Sequence, residues 1–162
     1  MRGVRLHFRR KTNVVEPLYL RSATRADALA LARLRRASLI ELGLPGALEP
    51  AFERDAALAF DALLVKGELA AWLLVADGRI AGSACALFWH RLPYPETSLH
   101  AELASVYVAP AYRRRGIARE LCAEAIAASR ARGARRIVVH PSRAGAALYA
   151  ELGFTAGNEL RL

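Results

Sequence analysis

The sequence predicts a single α/β domain built on a mixed β-sheet, and three observations lead to this prediction. The chain has 162 residues, of which 54% are hydrophobic, which is enough to bury one compact core. Two β-rich runs, residues 69–76 and 79–89, are joined by Asp77 and Gly78, a pair favoured in two-residue type I′ hairpins. From residue 98 onward, strand and helix patterns alternate. A hairpin followed by a strand–helix–strand unit gives a mixed sheet with helices on both faces.

The first 17 residues have no clear periodicity and carry five basic residues against one acidic residue. We therefore expect a basic N-terminal arm at residues 1–17, which we predict to be mobile, and a folded domain at residues 18–162. The arm lacks the apolar stretch of a secretory signal, and no apolar run of the chain approaches the length of a membrane helix. A cytoplasmic protein is therefore expected.

The first elements of the domain are predicted to be a strand and two helices. Residues 18–22 form the strand, after which Thr24 is typical of a helix N-cap, with Asp27 in the place of the capping-box glutamate. The second helix is predicted over residues 50–65, with Gly67 as a left-handed cap. The apolar stripe of the first helix is predicted to consist of Leu29, Leu31, Leu34, Leu39 and Leu42.

The elements after the hairpin are predicted from periodicity and from the glycines and prolines that end them. They are a central strand over residues 98–108, a helix over 116–132, a short strand over 137–139, a helix over 143–152, and one or two terminal strands over 154–162.

The most informative segment runs from Val106 to Arg119, where a strand gives way to a turn with three consecutive arginines and then to a helix. Free N–H groups at a helix N-terminus, a glycine and flanking arginines together suit a pyrophosphate. A Walker A loop would need Gly-Lys-Ser/Thr and a dinucleotide fingerprint would need three spaced glycines, and neither pattern is present. A solvated arginine run at a helix start is the alternative interpretation.

Two motifs in this half of the chain resemble those of the GNAT superfamily of acetyl-CoA-dependent N-acetyltransferases. Residues 113–118, Arg-Arg-Arg-Gly-Ile-Ala, are similar to the acetyl-CoA motif Arg/Gln-x-x-Gly-x-Gly/Ala, and they follow a strand that ends in Val-Tyr-Val. Residues 141–154, with a Leu-Tyr pair and a final Leu-Gly-Phe, are similar to the second signature of that family. The resemblance covers residues 18–162.

The resemblance implies a sheet in which the central strand and the strand after the motif helix splay apart into a V, with the coenzyme in the gap. Acetyl-CoA would then be a cosubstrate, and no metal is implied. The residues implied to bind it are Val106, Tyr107 and Val108 along the pantetheine, Arg113, Arg114, Arg115, Gly116, Ile117, Ala118 and Arg119 around the pyrophosphate, and Ser142, which would also cap the following helix.

Two further residues are given catalytic roles by the resemblance. Glu102 lies in the central strand, fourteen residues before Gly116, as the catalytic glutamate does in the histone-acetylating branch of the family, and it would act as the base. Tyr149 matches the tyrosine that the family places near the coenzyme sulfur, where a phenol can protonate the leaving thiolate. The alternatives are that Glu102 faces solvent or shapes the acceptor pocket, and that the Tyr149 hydroxyl is bonded locally.

The remaining reactive side chains are interpreted as structural. His100 and His140 lack a nucleophile partner and a second ligand at metal spacing, so ordinary strand histidines are expected. Cys85 and Cys122 lack CxxC spacing, so buried free thiols are expected. By position in the family, the acceptor pocket would be lined by residues 42–50 together with Trp89, His90, Tyr94 and Glu96.

The sequence thus predicts an enzyme that moves the acetyl group of acetyl-CoA to a primary amine by direct attack in a ternary complex, since no nucleophile for an acyl-enzyme is visible. A small-molecule amine is expected rather than a protein, and a homodimer is a candidate because dimers are common in the family. The scarcity of lysine beside abundant arginine and alanine indicates GC-rich coding and hence a bacterial source.

Two other functions are open at this point. The first is a non-catalytic regulatory module that binds acyl-CoA without turnover. The second is nucleic-acid binding driven by the formal net charge of +9, although the sequence contains no recognised nucleic-acid motif. No membrane partner is expected.

Overall fold

The computed structural model describes residues 4–6, 18–92 and 99–157. Six strands and four α-helices follow one another in these ranges. They are β1 (Val4–Leu6), β2 (Leu18–Ser22), α1 (Ala28–Glu41), α2 (Phe52–Lys66), β3 (Leu69–Ala76), β4 (Arg79–His90), β5 (Leu99–Val108), α3 (Ile117–Ala131), β6 (Arg136–Val139) and α4 (Ala146–Glu151). Short 3-10 turns precede α1, α2 and α3, at Arg25–Asp27, Pro45–Leu48 and Pro110–Tyr112.

All six strands form one mixed sheet in the order in which they occur along the chain. Strands β1 to β5 pair antiparallel, whereas β5 and β6 run parallel because α3 crosses over between them. The parallel pairing begins at His100 opposite Arg136 and ends at Leu103 opposite Val139. Strand β5 continues to Val108, so the two strands part beyond Leu103. The predicted mixed sheet with a V-shaped opening is therefore confirmed.

The sheet has a core on each face. One core lies under α3 and includes Leu103, Val108, Ile117, Leu121 and Cys122. The other core lies under α1 and α2 and is built from Leu31, Leu34, Leu69, Leu73 and Cys85. The central strands are apolar on both faces because both faces are covered.

The hairpin and helix-end predictions are confirmed. Asp77 and Gly78 have φ angles of 50° and 72°, and positive angles at both central positions are typical of a type I′ turn. Gly67 and Gly133 likewise take positive φ angles after α2 and α3, where a left-handed residue ends each helix. Asp27 accepts a hydrogen bond of 2.8 Å from the N–H of Thr24, as the capping prediction requires, and a second bond of 3.0 Å from the Thr24 hydroxyl.

Several details differ from the predictions. Leu29 and Leu42 do not belong to the buried stripe of α1, since they are 44% and 51% exposed, and a stripe with a period of 3.6 residues cannot hold both Leu29 and Leu31. Helix α4 begins at Ala146, because the chain first makes a turn at residues 143–145. Residues 154–157 contain no strand, and the rest of the predicted terminal strands, residues 158–162, lies outside the described residues.

Strand β1 lies within the segment that the sequence analysis assigned to an N-terminal arm. It pairs antiparallel with β2, with Val4 opposite Leu20 and Leu6 opposite Leu18. The pairing makes β1 the edge strand of the sheet. The boundary between arm and domain at residue 18 stays a prediction.

Candidate active site

A β-bulge in β5 shapes the strand where it parts from β6. Ser83 of β4 stands opposite Tyr107, and Cys85 stands opposite Ala104, so β5 contains one extra residue in this stretch. Ser105 takes a φ of 51°, and its carbonyl accepts a hydrogen bond of 3.0 Å from the Ser83 hydroxyl. Because of the extra residue, each side chain of β5 beyond the bulge lies on the face of the sheet opposite to the one that regular alternation would give it.

The bulge decides which side chains of β5 face which helices. Leu103 and Val108 are both buried in the core beneath α3, although they are five residues apart and would face opposite sides in a regular strand. Glu102 and Tyr107 consequently face the α1 and α2 side, and Tyr107 packs on the second core. Glu102 stands at the vertex of the V, opposite Leu87 on one side and Val138 on the other.

The end of the connection between β5 and α3, residues 113–116, which we call the arginine loop, has the geometry of an anion site. Arg114 and Gly116 take left-handed φ angles of 60° and 75°, and Gly116 directly precedes α3. The first helical hydrogen bond runs from Glu120 N–H to Gly116 C=O at 3.2 Å, so the N–H groups of residues 117–119 are not used within the helix. Ile117, which is 1% exposed, anchors the start of α3 in the core. Backbone donors and the helix dipole therefore meet at this turn.

The three arginines of this loop and Arg119 of α3 have different surroundings. Arg115 donates to the carbonyl of Ala111 at 2.9 Å and lies over the ring of Tyr112. Arg114 and Arg119 are exposed to solvent. The side chain of Arg113 is directed towards the end of α1 instead.

Arg113 forms a cluster with Glu41 and Tyr107 that the sequence analysis did not predict. Its terminal nitrogen donates to both carboxylate oxygens of Glu41, at 2.8 and 2.7 Å, and its Nε donates to the carbonyl of Val108 at 2.7 Å. The Tyr107 hydroxyl also donates to Glu41, at 2.8 Å. These bonds from Tyr107 and Arg113 lower the pKa of the Glu41 carboxyl. Tyr107 and Arg113 lie 66 and 72 residues after Glu41 in the chain, so no local sequence pattern predicts the cluster.

Tyr149 lies on α4 and packs against the core beneath α3, which is the face opposite to Glu102. Its ring meets Phe154 edge to face, with centroids 5.9 Å apart. Burial, with a smaller contribution from Cys122, raises the pKa of the phenol to about 12.

The sequence analysis treated His140 as an ordinary strand histidine, and the structure brings it close to Glu102. His140 directly follows β6, and its Nε2 lies 4.0 Å from Oε1 of Glu102. The Glu102 side chain is 27% exposed, so it is neither fully buried nor freely solvated. The two side chains sit where β5 and β6 begin to part.

Ser142 and the two cysteines take structural positions. The Ser142 side chain accepts a hydrogen bond of 3.2 Å from Gly145 N–H, so it caps the turn at residues 143–145 and not helix α4 itself, whose N-cap is Gly145. Cys85 and Cys122 are free and buried, as predicted. Burial raises the pKa of each thiol to about 12, so neither is ionised near neutral pH.

A pocket of about 550 Å³ lies beside this site, between β6, α4 and residues 153–157. Tyr149, His140 and Phe154 line it. Its walls do not include β5 or the arginine loop, so it is a neighbouring cavity and not the cleft between β5 and β6.

The structure describes part of the acceptor region predicted from the sequence. The rings of Trp89 and His100 are 5.8 Å apart on adjacent strands, next to Glu102 in the sheet. In the predicted 42–50 connection, Leu42, Leu44 and Leu48 are exposed. Tyr94 and Glu96 lie outside the described residues.

In the described part of the chain, no three His, Cys, Asp or Glu side chains are grouped so that they could hold a metal ion. No helix of that part is both long and apolar enough to cross a membrane.

Comparison with known proteins places the chain in a family. The model of the acetyltransferase (GNAT) family matches residues 33–154, which contain β3 to β6, the arginine loop and α4. The chain therefore belongs to the GNAT family of acetyltransferases. No sequence among the curated proteins matches it.

Solved structures share the fold at low sequence identity. A predicted acetyltransferase from Clostridium acetobutylicum, solved with acetyl-CoA, is 23% identical and has a TM-score of 0.81, over 90% of this chain and 95% of that chain. A GCN5-related N-acetyltransferase from Ralstonia eutropha JMP134 is also 23% identical, with a TM-score of 0.80 over 90% and 97%. The aminoglycoside N-acetyltransferase AAC(6')-Iy in complex with CoA is 22% identical, with a TM-score of 0.72 over 93% and 96%.

Proposed function

We propose that this protein, through the domain at residues 18–162, transfers the acetyl group of acetyl-CoA to a primary amine in a ternary complex. The observation that carries the proposal is the opening between β5 and β6 beyond Leu103, which leads to the arginine loop at the start of α3. An open strand edge suits the extended amide arm of a ligand, and an anion site next to it suits a pyrophosphate on the same ligand. Two structural neighbours contain acetyl-CoA or CoA, which supports this ligand.

The proposed binding mode assigns the two parts of the ligand to different elements. Backbone groups of Val106, Tyr107 and Val108 would hold the pantetheine as an added strand, since amide-containing ligands pair well with an open strand edge. The N–H groups of residues 117–119 would hold the pyrophosphate, with the exposed Arg114 and Arg119 supplying charge.

The proposed chemistry uses Glu102 and Tyr149 from opposite faces of the sheet. Acetyl-CoA supplies a thioester carbonyl as the electrophile. The neutral acceptor amine bonds through its nitrogen lone pair to the carbonyl carbon, Glu102 takes the proton that this nitrogen loses as the bond forms, and the carbon–sulfur bond breaks. Tyr149 gives its proton to the departing sulfur and is later reprotonated from solvent. The phenol carries its proton at neutral pH, as this role requires.

The acceptor is proposed to be a small molecule with one primary amine. The chain has a formal net charge of +9, which disfavours the approach of strongly cationic amines. An uncharged or acidic amine is therefore the first class to screen.

Calorimetric titration with acetyl-CoA tests the proposed binding site. We expect affinity near the micromolar range in the wild type and none in Arg114→Ala/Gly116→Glu, in which a carboxylate replaces the glycine of the anion site. Because Gly116 has a φ of 75° and a side chain there is strained, Arg114→Ala/Arg119→Ala serves as a second variant that keeps the backbone. Arg54→Ala/Arg79→Ala changes the charge equally, away from the loop, and should bind as the wild type does.

Amine-dependent release of free thiol tests the chemistry on the same preparations. We expect Glu102→Gln to bind acetyl-CoA and to lose turnover, because the amide cannot accept the proton. Binding without any amine-dependent thiol release by the wild type would favour the non-catalytic acyl-CoA-binding module. No binding at low salt would overturn the proposal.

A further inference from the structure

The cluster of Glu41, Tyr107 and Arg113 links three elements at the mouth of the proposed coenzyme site. Glu41 is the last residue of α1, Tyr107 lies near the end of β5, and Arg113 begins the arginine loop. Each of the four hydrogen bonds in the cluster is between 2.7 and 2.8 Å long. The Tyr107 ring also lies 5.3 Å from the guanidinium carbon of Arg113.

These contacts use most of the binding capacity of the Arg113 side chain. One edge of the guanidinium holds Glu41, the Nε–H holds the carbonyl of Val108, and one face lies on Tyr107. The charge of Arg113 is matched by the carboxylate of Glu41. Arg113 is therefore placed to fix the loop, whereas Arg114 and Arg119 remain exposed for a ligand.

The loop needs such an anchor because its backbone is unusual. Arg114, which follows Arg113 directly, and Gly116 both have positive φ angles, and a non-glycine residue adopts that conformation only at a cost. A loop held in its binding shape before the ligand arrives loses less entropy on binding. Fixing Arg113 on Glu41 and Val108 sets one end of the loop, and the burial of Ile117 sets the other.

We propose that Glu41 is a positioning residue for coenzyme binding: through Arg113 it holds the backbone of the arginine loop in the shape that receives the pyrophosphate. This inference rests on the proposed function. It gives the C-terminal end of α1 an indirect part in coenzyme binding. It also assigns Arg113 to the loop support and not to the phosphate contacts.

The competing possibility predicts a result of opposite sign. If Arg113 left Glu41 to bind a phosphate, Glu41 would compete with the ligand, and removing its charge would tighten acetyl-CoA binding. If Glu41 positions the loop, the same change weakens binding. The direction of the shift in Kd therefore decides between the two.

The test is a double-variant cycle measured by calorimetry with acetyl-CoA. We expect Glu41→Gln to weaken binding roughly three- to tenfold, the range for a paired charge in a partly exposed network. Arg113→Ala should weaken binding by at least as much, and adding Glu41→Gln to it should have no further effect. In turnover assays the effect of Glu41→Gln should fall mainly on the KM for acetyl-CoA, which a general loss of stability would not produce.

Glu53→Gln is the matched control. Glu53 also pairs with an arginine at 2.7 Å, and its partner Arg33 joins it to α1, but neither residue touches β5 or the loop. This variant should bind acetyl-CoA as the wild type does. Unchanged or tighter binding by Glu41→Gln would overturn the inference while leaving the proposed function intact. Absence of binding by the wild type would instead refute the proposed function itself.

Discussion

At the scale of single residues, Tyr149 combines an apolar setting with a raised pKa. Its ring is held between the core beneath α3 and Phe154, and burial raises its pKa to about 12. A phenol with this pKa is protonated throughout the neutral range, so it holds a proton for the departing sulfur. We expect Tyr149→Phe to keep acetyl-CoA binding and to lower kcat about 100-fold, the lower end of the range for general acid catalysis. Steady-state thiol release at saturating acetyl-CoA measures this.

The control for this change is Tyr112→Phe, which removes a phenol hydroxyl from a ring that lies beneath Arg115 and outside the cleft. Its kcat should equal that of the wild type. If Tyr149→Phe also turned over at the wild-type rate, Tyr149 would be a packing residue and the proton would reach the sulfur from water.

At the scale of elements, Gly82 allows β4 and β5 to approach at the point where the bulge ends. Gly82 stands opposite Val108, and a Cβ at this position would lie 2.9 Å from the carbonyl oxygen of Tyr107. A backbone atom at that distance cannot move aside like the end of a side chain, so the strands must shift. We expect Gly82→Ala to lower the free energy of unfolding by about 1–3 kcal/mol, as overpacking does. The midpoint of urea unfolding measures the change.

Gly46→Ala is the corresponding control. Gly46 lies in the Pro45–Leu48 turn, and a Cβ there would meet no atom within 4 Å. Its effect on the unfolding midpoint should be near zero or slightly stabilising, because alanine restricts the unfolded chain. Equal midpoints for Gly82→Ala and Gly46→Ala would show that the two strands adjust to the added methyl group at no cost.

The elements that the sequence predicts well are those specified by neighbouring residues. The turn at Asp77 and Gly78 and the helix ends at Gly67 and Gly133 each depend on a residue that tolerates a positive φ, and such signals are local. The bulge at Ser105 was not predicted, because serine is not a typical residue for a positive φ and the bulge depends on pairing with β4. Helix α4 was predicted to begin at residue 143 but begins at Ala146, because residues 143–145 form a turn that the Ser142 side chain caps.

In the candidate site, too, the residues specified by local motifs could be predicted and those that depend on long-range packing could not. The arginine loop and Tyr149 could be found because their motifs are contiguous in the chain. Glu41 could not, because its contacts with Tyr107 and Arg113 depend on how α1 packs across the sheet. The approach of His140 to Glu102 depends on the parallel register of β5 and β6, which the sequence does not specify.

At the scale of the whole molecule, a partly buried ion pair joins the sheet to the helical layer. Asp27 is 7% exposed and accepts two hydrogen bonds from Arg21 of β2, at 2.8 and 2.6 Å, while it caps the start of the first helix. The bonds from Arg21 are the main cause that lowers the pKa of Asp27 from 3.8 to about 2. A carboxyl whose pKa is lower in the folded state stabilises the fold at every pH above its unfolded pKa. That contribution is lost as the pH falls through the folded pKa.

The acid stability of the protein should therefore depend on Asp27 between about pH 4 and pH 2. The shift corresponds to about 2 kcal/mol of stability at neutral pH, at 1.36 kcal/mol for each pKa unit. We expect Asp27→Asn to be destabilised by about that amount at pH 7, and the difference from the wild type to shrink as the pH falls to 2. Urea unfolding at several pH values measures it, with the exposed Asp55→Asn as the control. A difference that is the same at pH 7 and pH 2 would mean that Asp27 acts through packing and hydrogen bonds alone, because only its charge is lost on protonation.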